Sequence, residues 1–167
     1  SLTNAPAGSK LRLTFGYDER GRRISKTVEA FASGTWTTNL MRRFVYDGWN
    51  LLAELNATNN AVIRSFQWGL DLSGTMQGAG GVGGLISILD KTTAVGTNYF
   101  AVYDGNGNVM GLVSANTGAL AAQYEFGPFG EVVRATGPMA TLNPFGFQTE
   151  YWDRETDKLY WKNRYYD

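Results

Sequence analysis

From Leu11 onward the chain is patterned with a period of two. Leu11, Leu13, Phe15 and Tyr17 alternate with Arg12, Thr14 and Gly16. Trp36, Thr38, Leu40, Arg42, Phe44 and Tyr46 share one face of the next long run, Val62, Arg64, Phe66 and Trp68 one face of another, and Leu120, Ala122, Tyr124 and Phe126 one face of a fourth. Side chains of a strand change faces at every residue, so these runs read as strands. No segment carries a 3.6-residue apolar stripe of helical length. Between the runs stand Asp18-Glu19-Arg20-Gly21, Asp47-Gly48, Asn59-Asn60, Asp104-Gly105-Asn106-Gly107-Asn108 and Asn116-Thr117-Gly118. Asn, Asp and Gly tolerate the positive φ angles of hairpin turns. The expected fold is all-β, an antiparallel series of roughly ten strands at hairpin spacing. Residues 69–84 form the longest stretch without a strand pattern. Residues 127–157, broken by Gly127-Pro128 and Asn143-Pro144, read as an irregular connection within one domain over 1–167, and residues 1–9 as a flexible arm.

Composition removes several chemistries. The chain has no Cys and no His, which excludes thiol nucleophiles, His-dependent triads and zinc sites built from those ligands. The 15 basic and 15 acidic residues cancel, which argues against a nucleic-acid partner. Arg22-Arg23 and Arg42-Arg43 are basic doublets too short to line a nucleic-acid groove. No apolar run is long enough for a membrane-spanning helix. At 43% hydrophobic residues the chain can bury a core.

Gly78-Ala79-Gly80-Gly81-Val82-Gly83 matches the G-x-G-x-x-G pattern of dinucleotide loops. That chemistry needs a preceding strand, a following helix and an acidic residue about 20 positions on. Trp68 to Gly74 is no buried parallel strand, and Leu85 to Leu89 suits a strand better than a helix. Asp104 is suitably spaced but sits in a turn. A close backbone crossing is the better reading, and no cofactor is expected.

One unit recurs: an aromatic strand ending in Tyr-Asp, a glycine turn, then an apolar strand. It comprises Tyr17, Asp18 and Gly21, then Tyr46, Asp47 and Gly48, then Tyr103, Asp104 and Gly105, with Tyr165, Tyr166 and Asp167 as a degenerate last copy. A Tyr ring buries an apolar body and keeps its hydroxyl at a wet edge. The Asp carboxylate can accept amides of the following turn. The unit is therefore structural and needs no substrate. Phe100 to Val109, Tyr124 to Glu131 with Pro128, Phe129 and Gly130, and Asn143, Pro144 and Phe145 continuing to Leu159–Asp167 follow in an order that resembles the RHS (YD-repeat) family, specifically its repeat-associated core region. The chain departs from that pattern at Asp157-Lys158, where the family prefers Thr-Gly-Leu at a tight turn.

The resemblance implies a curved ribbon of β-hairpins, or a segment of a β-spiral shell, from large secreted or cell-surface proteins whose shells enclose a toxin. It implies an extracellular or cell-surface location and a non-catalytic wall, with neighbouring YD repeats as pairing partners and a toxin as possible cargo. A second expectation comes from the ribbon's unpaired ends: copies could pair edge to edge as subunits of an extracellular fibre or surface layer. A carbohydrate-binding module displaying aromatic platforms and a carboxylate enzyme around Asp153 are further alternatives.

The other candidate features have plainer readings. Asp104, Asn106 and Asn108 imitate the start of a calcium loop, but Val109 and Ala115 stand where Gly and Glu are required, so no metal site is expected. Asp153, Glu155 and Asp157 beside Arg154 and Lys158 could pair carboxylates for glycosidase chemistry, but read better as a solvated surface. Asn56-Ala57-Thr58 is a glycosylation sequon.

Overall fold

The computed structural model describes residues 9–93, 95–162 and 164–166. Ten strands follow in order: β1 (Leu11–Tyr17), β2 (Arg23–Ala32), β3 (Thr35–Asp47), β4 (Asn50–Asn56), β5 (Val62–Trp68), β6 (Leu85–Asp90), β7 (Thr97–Tyr103), β8 (Val109–Ser114), β9 (Leu120–Phe126) and β10 (Val132–Thr136). Each pairs antiparallel with the next, so sheet order equals chain order. The sheet does not close; it is a curved hairpin ribbon with β1 and β10 at its edges. Three further strands, β11 (Tyr151–Asp153), β12 (Lys158–Trp161) and β13 (Arg164–Tyr166), form a second small sheet. The all-β hairpin architecture is as the period-two pattern predicts. Residues 69–84 carry no strand, whereas the 127–157 connection contains β10, a single 3-10 turn at Phe147–Thr149, and β11. The arm expected at residues 1–9 lies outside the described residues except for Ser9.

The same register shift repeats at one end of five hairpins. Tyr17, Tyr46, Trp68, Tyr103 and Phe126, at or next to the ends of their strands, lie opposite Arg23, Leu51, Leu85, Val109 and Val132. The next residue of the returning strand, respectively Ile24, Leu52, Ile86, Met110 and Val133, has no partner. A bulge of this kind bends its strand and increases the twist. It also moves the face pattern by one residue. Leu51, Leu85 and Val109 are buried, while Ile24, Leu52, Ile86 and Val133 are exposed. The repeat thus recurs in geometry at Trp68 and Phe126, where no Tyr-Asp marks it.

One core runs along the inner face. Phe44, Leu51, Phe66, Leu85, Ile88, Val109, Leu112 and Tyr124 come from the ribbon, and Met139, Ala140 and Phe145 from the segment that folds back onto it. The β11–β12 connection is a tight turn with Asp157 at φ 57°, so Asp takes the left-handed position that glycine would fill.

Candidate functional site at the seam between ribbon and inner segment

The first and third Tyr-Asp copies build the same turn. Asp18 Oδ1 accepts from the amides of Arg20 (3.0 Å) and Arg22 (2.9 Å), and Asp104 Oδ1 from those of Asn106 (2.9 Å) and Asn108 (3.0 Å). The second oxygen of each accepts a side-chain donor, Arg22 Nε or Asn108 Nδ2, both at 2.7 Å. The Asp104 carboxylate is therefore spent on its own turn. The left-handed glycine is Gly21 in the first copy and Gly107, not Gly105, in the third. At the middle copy Gly48 (φ 55°) lies against Gln77, whose amide bonds Trp49 N and Asp47 O. The Tyr103 hydroxyl donates to Leu85 O at 2.6 Å. Tyr46 packs against the core, Tyr17 is exposed, Tyr165 lies tilted against Tyr160, and Tyr166 meets Trp161 edge-on. Asp167 lies outside the described residues.

Asn143, Pro144 and Phe145 anchor the inner segment. The Asn143 side chain, fully buried, donates to Phe145 O (2.6 Å) and to the Tyr124 hydroxyl (3.2 Å), and accepts from Phe145 N (3.0 Å). This loop drives the Phe145 ring edge-on against Phe66, Trp68 and Tyr151, with centroids 5.1, 5.5 and 6.0 Å away. Pro128, Phe129 and Gly130 form the β9–β10 turn. Phe129 is 73% exposed there, and Gly130 (φ 91°) sits so close to the Phe147 ring that a Cβ would collide with it.

Between Phe145 and the first strands lies a charged seam. Arg23 is fully buried, occupying in the first hairpin the inward position that Leu51 and Val109 hold in later ones. Its guanidinium pairs with Asp153 and is boxed by Phe15, Phe44, Tyr151 and Tyr160 at 4.3–5.2 Å. Burial is the largest single influence and works against its charge, but Asp153 together with Tyr151 and Tyr165 holds the guanidinium above its usual pKa. Lys26 reaches Asp153 at 2.7 Å and also pairs with Glu155. Beside this network, Arg64 bridges Glu54 (3.0 Å) and Asp90 (2.7 Å), and the Tyr151 hydroxyl donates to Glu54 at 2.8 Å. The solvated surface expected around Asp153 is corrected here: Asp153 is fully buried and Glu155 half-buried, because β2 brings two cations to them from 127 or more residues away; only Asp157 stays exposed.

The glycine-rich loop wraps a carboxylate of its own chain. Asp71 accepts from the amides of Ser73, Ala79 and Gly81 and from the Ser73 hydroxyl, at 2.6–3.1 Å. Amides that could cradle a phosphate are thus already satisfied. Burial raises the Asp71 carboxyl, but these donors outweigh it and hold it at about 2. Gly83 N donates to Thr149 Oγ1 (2.8 Å), which ties the loop to the inner segment. Asn56 caps a turn through Thr58 N.

Next to that tie, Glu150 is 8% exposed and lines a cavity of about 40 Å³ together with Tyr46, Trp49, Trp68 and Lys162. Burial pushes its carboxyl from 4.5 up to about 7, against the pull of Lys162. A raised carboxyl means that the folded chain keeps a proton which the unfolded chain releases. Stability therefore falls as pH rises from about 4.5 to about 7 and stays lower above that. Glu150→Gln, which cannot ionise, is expected to match the parent near pH 4 and exceed it by about 3 kcal/mol at pH 8. Denaturant midpoints of both chains at the two pH values check this; equal midpoints at pH 8 would refute it.

Among the described residues no group of three or more acidic side chains is placed to hold a metal ion, and no helix is long and apolar enough to cross a membrane.

No family model matches the chain. The tRNA3(Ser)-specific nuclease WapA of Bacillus spizizenii is 29% identical over 157 residues, and the tRNA nuclease WapA of Bacillus subtilis 28%. Both alignments cover 92% of this chain but only 6% of the relative. Among solved structures, the TcdB2–TccC3 complex superposes with a TM-score of 0.61 at 18% identity over 98% of this chain and 8% of the other. The Photorhabdus luminescens Tc holotoxin pore superposes with 0.62 at 16% identity over 99% and 7%. These structures share the fold. The likenesses are consistent with the resemblance to the RHS family.

Proposed function

We propose that this chain is a wall segment of a secreted or cell-surface RHS-type protein, non-catalytic by itself, whose hairpins continue into neighbouring repeats of a shell around a toxin cargo. The observation that supports this reading is the open ten-strand ribbon, with β1 and β10 as edges and its inner face covered by its own folded-back segment. In the first and third copies of the Tyr-Asp unit the aspartate is spent on its own turn. The tRNA nuclease activity in the relatives' names belongs to proteins of which this segment matches a small part. Incubating the purified chain with tRNA and magnesium is expected to leave the tRNA intact; cleavage that persists through repurification would overturn the non-catalytic reading.

The same two edges support a second reading, a subunit that assembles through strand pairing between copies. Light scattering and electron microscopy over a concentration series separate the two. A stable monomer supports the wall segment, and ordered polymers support the self-assembling subunit.

A further inference from the structure

A second cavity, of about 170 Å³, opens between strands β2–β5 and the inner segment. That is room for several waters or one small ion. Four cations line it, Lys26, Arg42, Arg64 and Arg154, against two carboxylates, Glu54 and Glu155. Both carboxylates are already engaged: Glu155 with Lys26, and Glu54 with Arg64 and the Tyr151 hydroxyl. Arg42 and Arg154 have no ion-pair partner among the described residues. Arg42 donates only to the carbonyl of adjacent Met41. Arg154 lies flat on Trp152 with its guanidinium carbon 3.5 Å from the ring centroid, and donates to the carbonyls of Ala140 (2.9 Å) and Asn143 (3.0 Å). Its Nε is buried and has no acceptor among the described residues.

Arg154 is half-buried, and its buried, idle Nε–H leaves the desolvation of that donor uncompensated until an acceptor completes it. Stacking on Trp152 and two carbonyls fix its plane, and a guanidinium held in this way presents a rigid fork suited to oxyanions. We propose that this cavity is an oxyanion site which takes a dianionic phosphoryl group, as free phosphate or as a phosphate monoester, between Arg42 and Arg154. Two guanidiniums offer several N–H donors, which suits a tetrahedral oxyanion with its many acceptor sites better than a monocarboxylate. Glu54 and Glu155 in the lining favour a small ligand over an extended polyanion.

The test is melting of the whole chain against inorganic phosphate, glycerol phosphate and acetate, each at ionic strength matched with sodium chloride, with ³¹P line widths of the two phosphates recorded in parallel. Ligands that bind only the folded state raise the melting temperature with concentration. Inorganic phosphate is expected to raise it and to show broadened resonances, and acetate to do neither. A further rise with glycerol phosphate identifies a monoester as the better ligand, and none identifies the free ion. Arg42→Gln, whose side chain makes no tertiary hydrogen bond, should fold normally and bind phosphate about tenfold more weakly, as loss of a charged hydrogen-bond donor implies. Arg154→Gln should bind more weakly still, and Arg20→Gln, in the exposed β1–β2 turn, should match the parent. No phosphate effect beyond sodium chloride, an equal effect of acetate, or undiminished binding by Arg42→Gln would overturn the proposal.

Discussion

Asp153→Ala is expected to destabilise the chain by about 3–5 kcal/mol, the cost of leaving a buried charge without its partner. Arg23 is fully buried and its Nε and Nη2 have no hydrogen-bond acceptor among the described residues, so Asp153 is the charge that keeps it tolerable in the core. Lys26 would retain Glu155, which is half-buried, and so would lose less. The measurement is the denaturant midpoint with an unchanged slope, which separates lost stability from a changed unfolded state. Arg23→Leu combined with Asp153→Leu is expected to recover most of the loss, because a well-packed apolar pair can replace a buried ion pair at little cost. Leucine is already the inward residue at Leu51, the equivalent position one hairpin on. An Asp153→Ala chain within about 0.5 kcal/mol of the parent, the range of an ordinary surface change, would show that the seam admits water.

Phe145→Ala is expected to cost about 3–5 kcal/mol, the range for removing a buried aromatic ring and leaving its cavity. The ring is 3% exposed and touches three aromatic rings, two from β5 and one from β11. Its loss removes the contact that joins ribbon to inner segment. Amide exchange should rise in β11 before it rises in β7 and β8, because the former is held by the lost ring and the latter by their own ladder. Phe129→Ala, at 73% exposure, should fall within about 0.5 kcal/mol of the parent. Equal effects of the two substitutions would refute the anchoring role of Phe145.

The strands could be read from the sequence because a half-buried sheet imposes its period of two on local residues. Leu120, Ala122, Tyr124 and Phe126 carry that signal whatever lies across from them. The Asp18 and Asp104 turns were readable for the same reason, since donor and acceptor are at most four residues apart. The bulges were not. Ile24 looks like the first core residue of β2, yet the shifted register turns Ile24 outward and Arg23 inward. The doublet Arg22-Arg23 held the signal: placing Arg23 beside Leu51 and Val109, each opposite the Tyr of its unit, shows a cation where the repeat has an aliphatic. Nothing local shows that its counter-charge is Asp153, 130 residues on.

The sequence by itself determined the all-β class, the hairpin order and the self-contained turns, because each depends on side-chain alternation and on hydrogen bonds between near neighbours. Only the tertiary structure decided which charges meet. Asp153 reads as surface among Arg154, Glu155 and Asp157, and becomes the buried partner of Arg23 and Lys26 once the inner segment lies on the ribbon. Desolvation and pairing depend on distances across the fold, and those were set by the packing of Phe145 and by five bulges, two of which no Tyr-Asp unit marks.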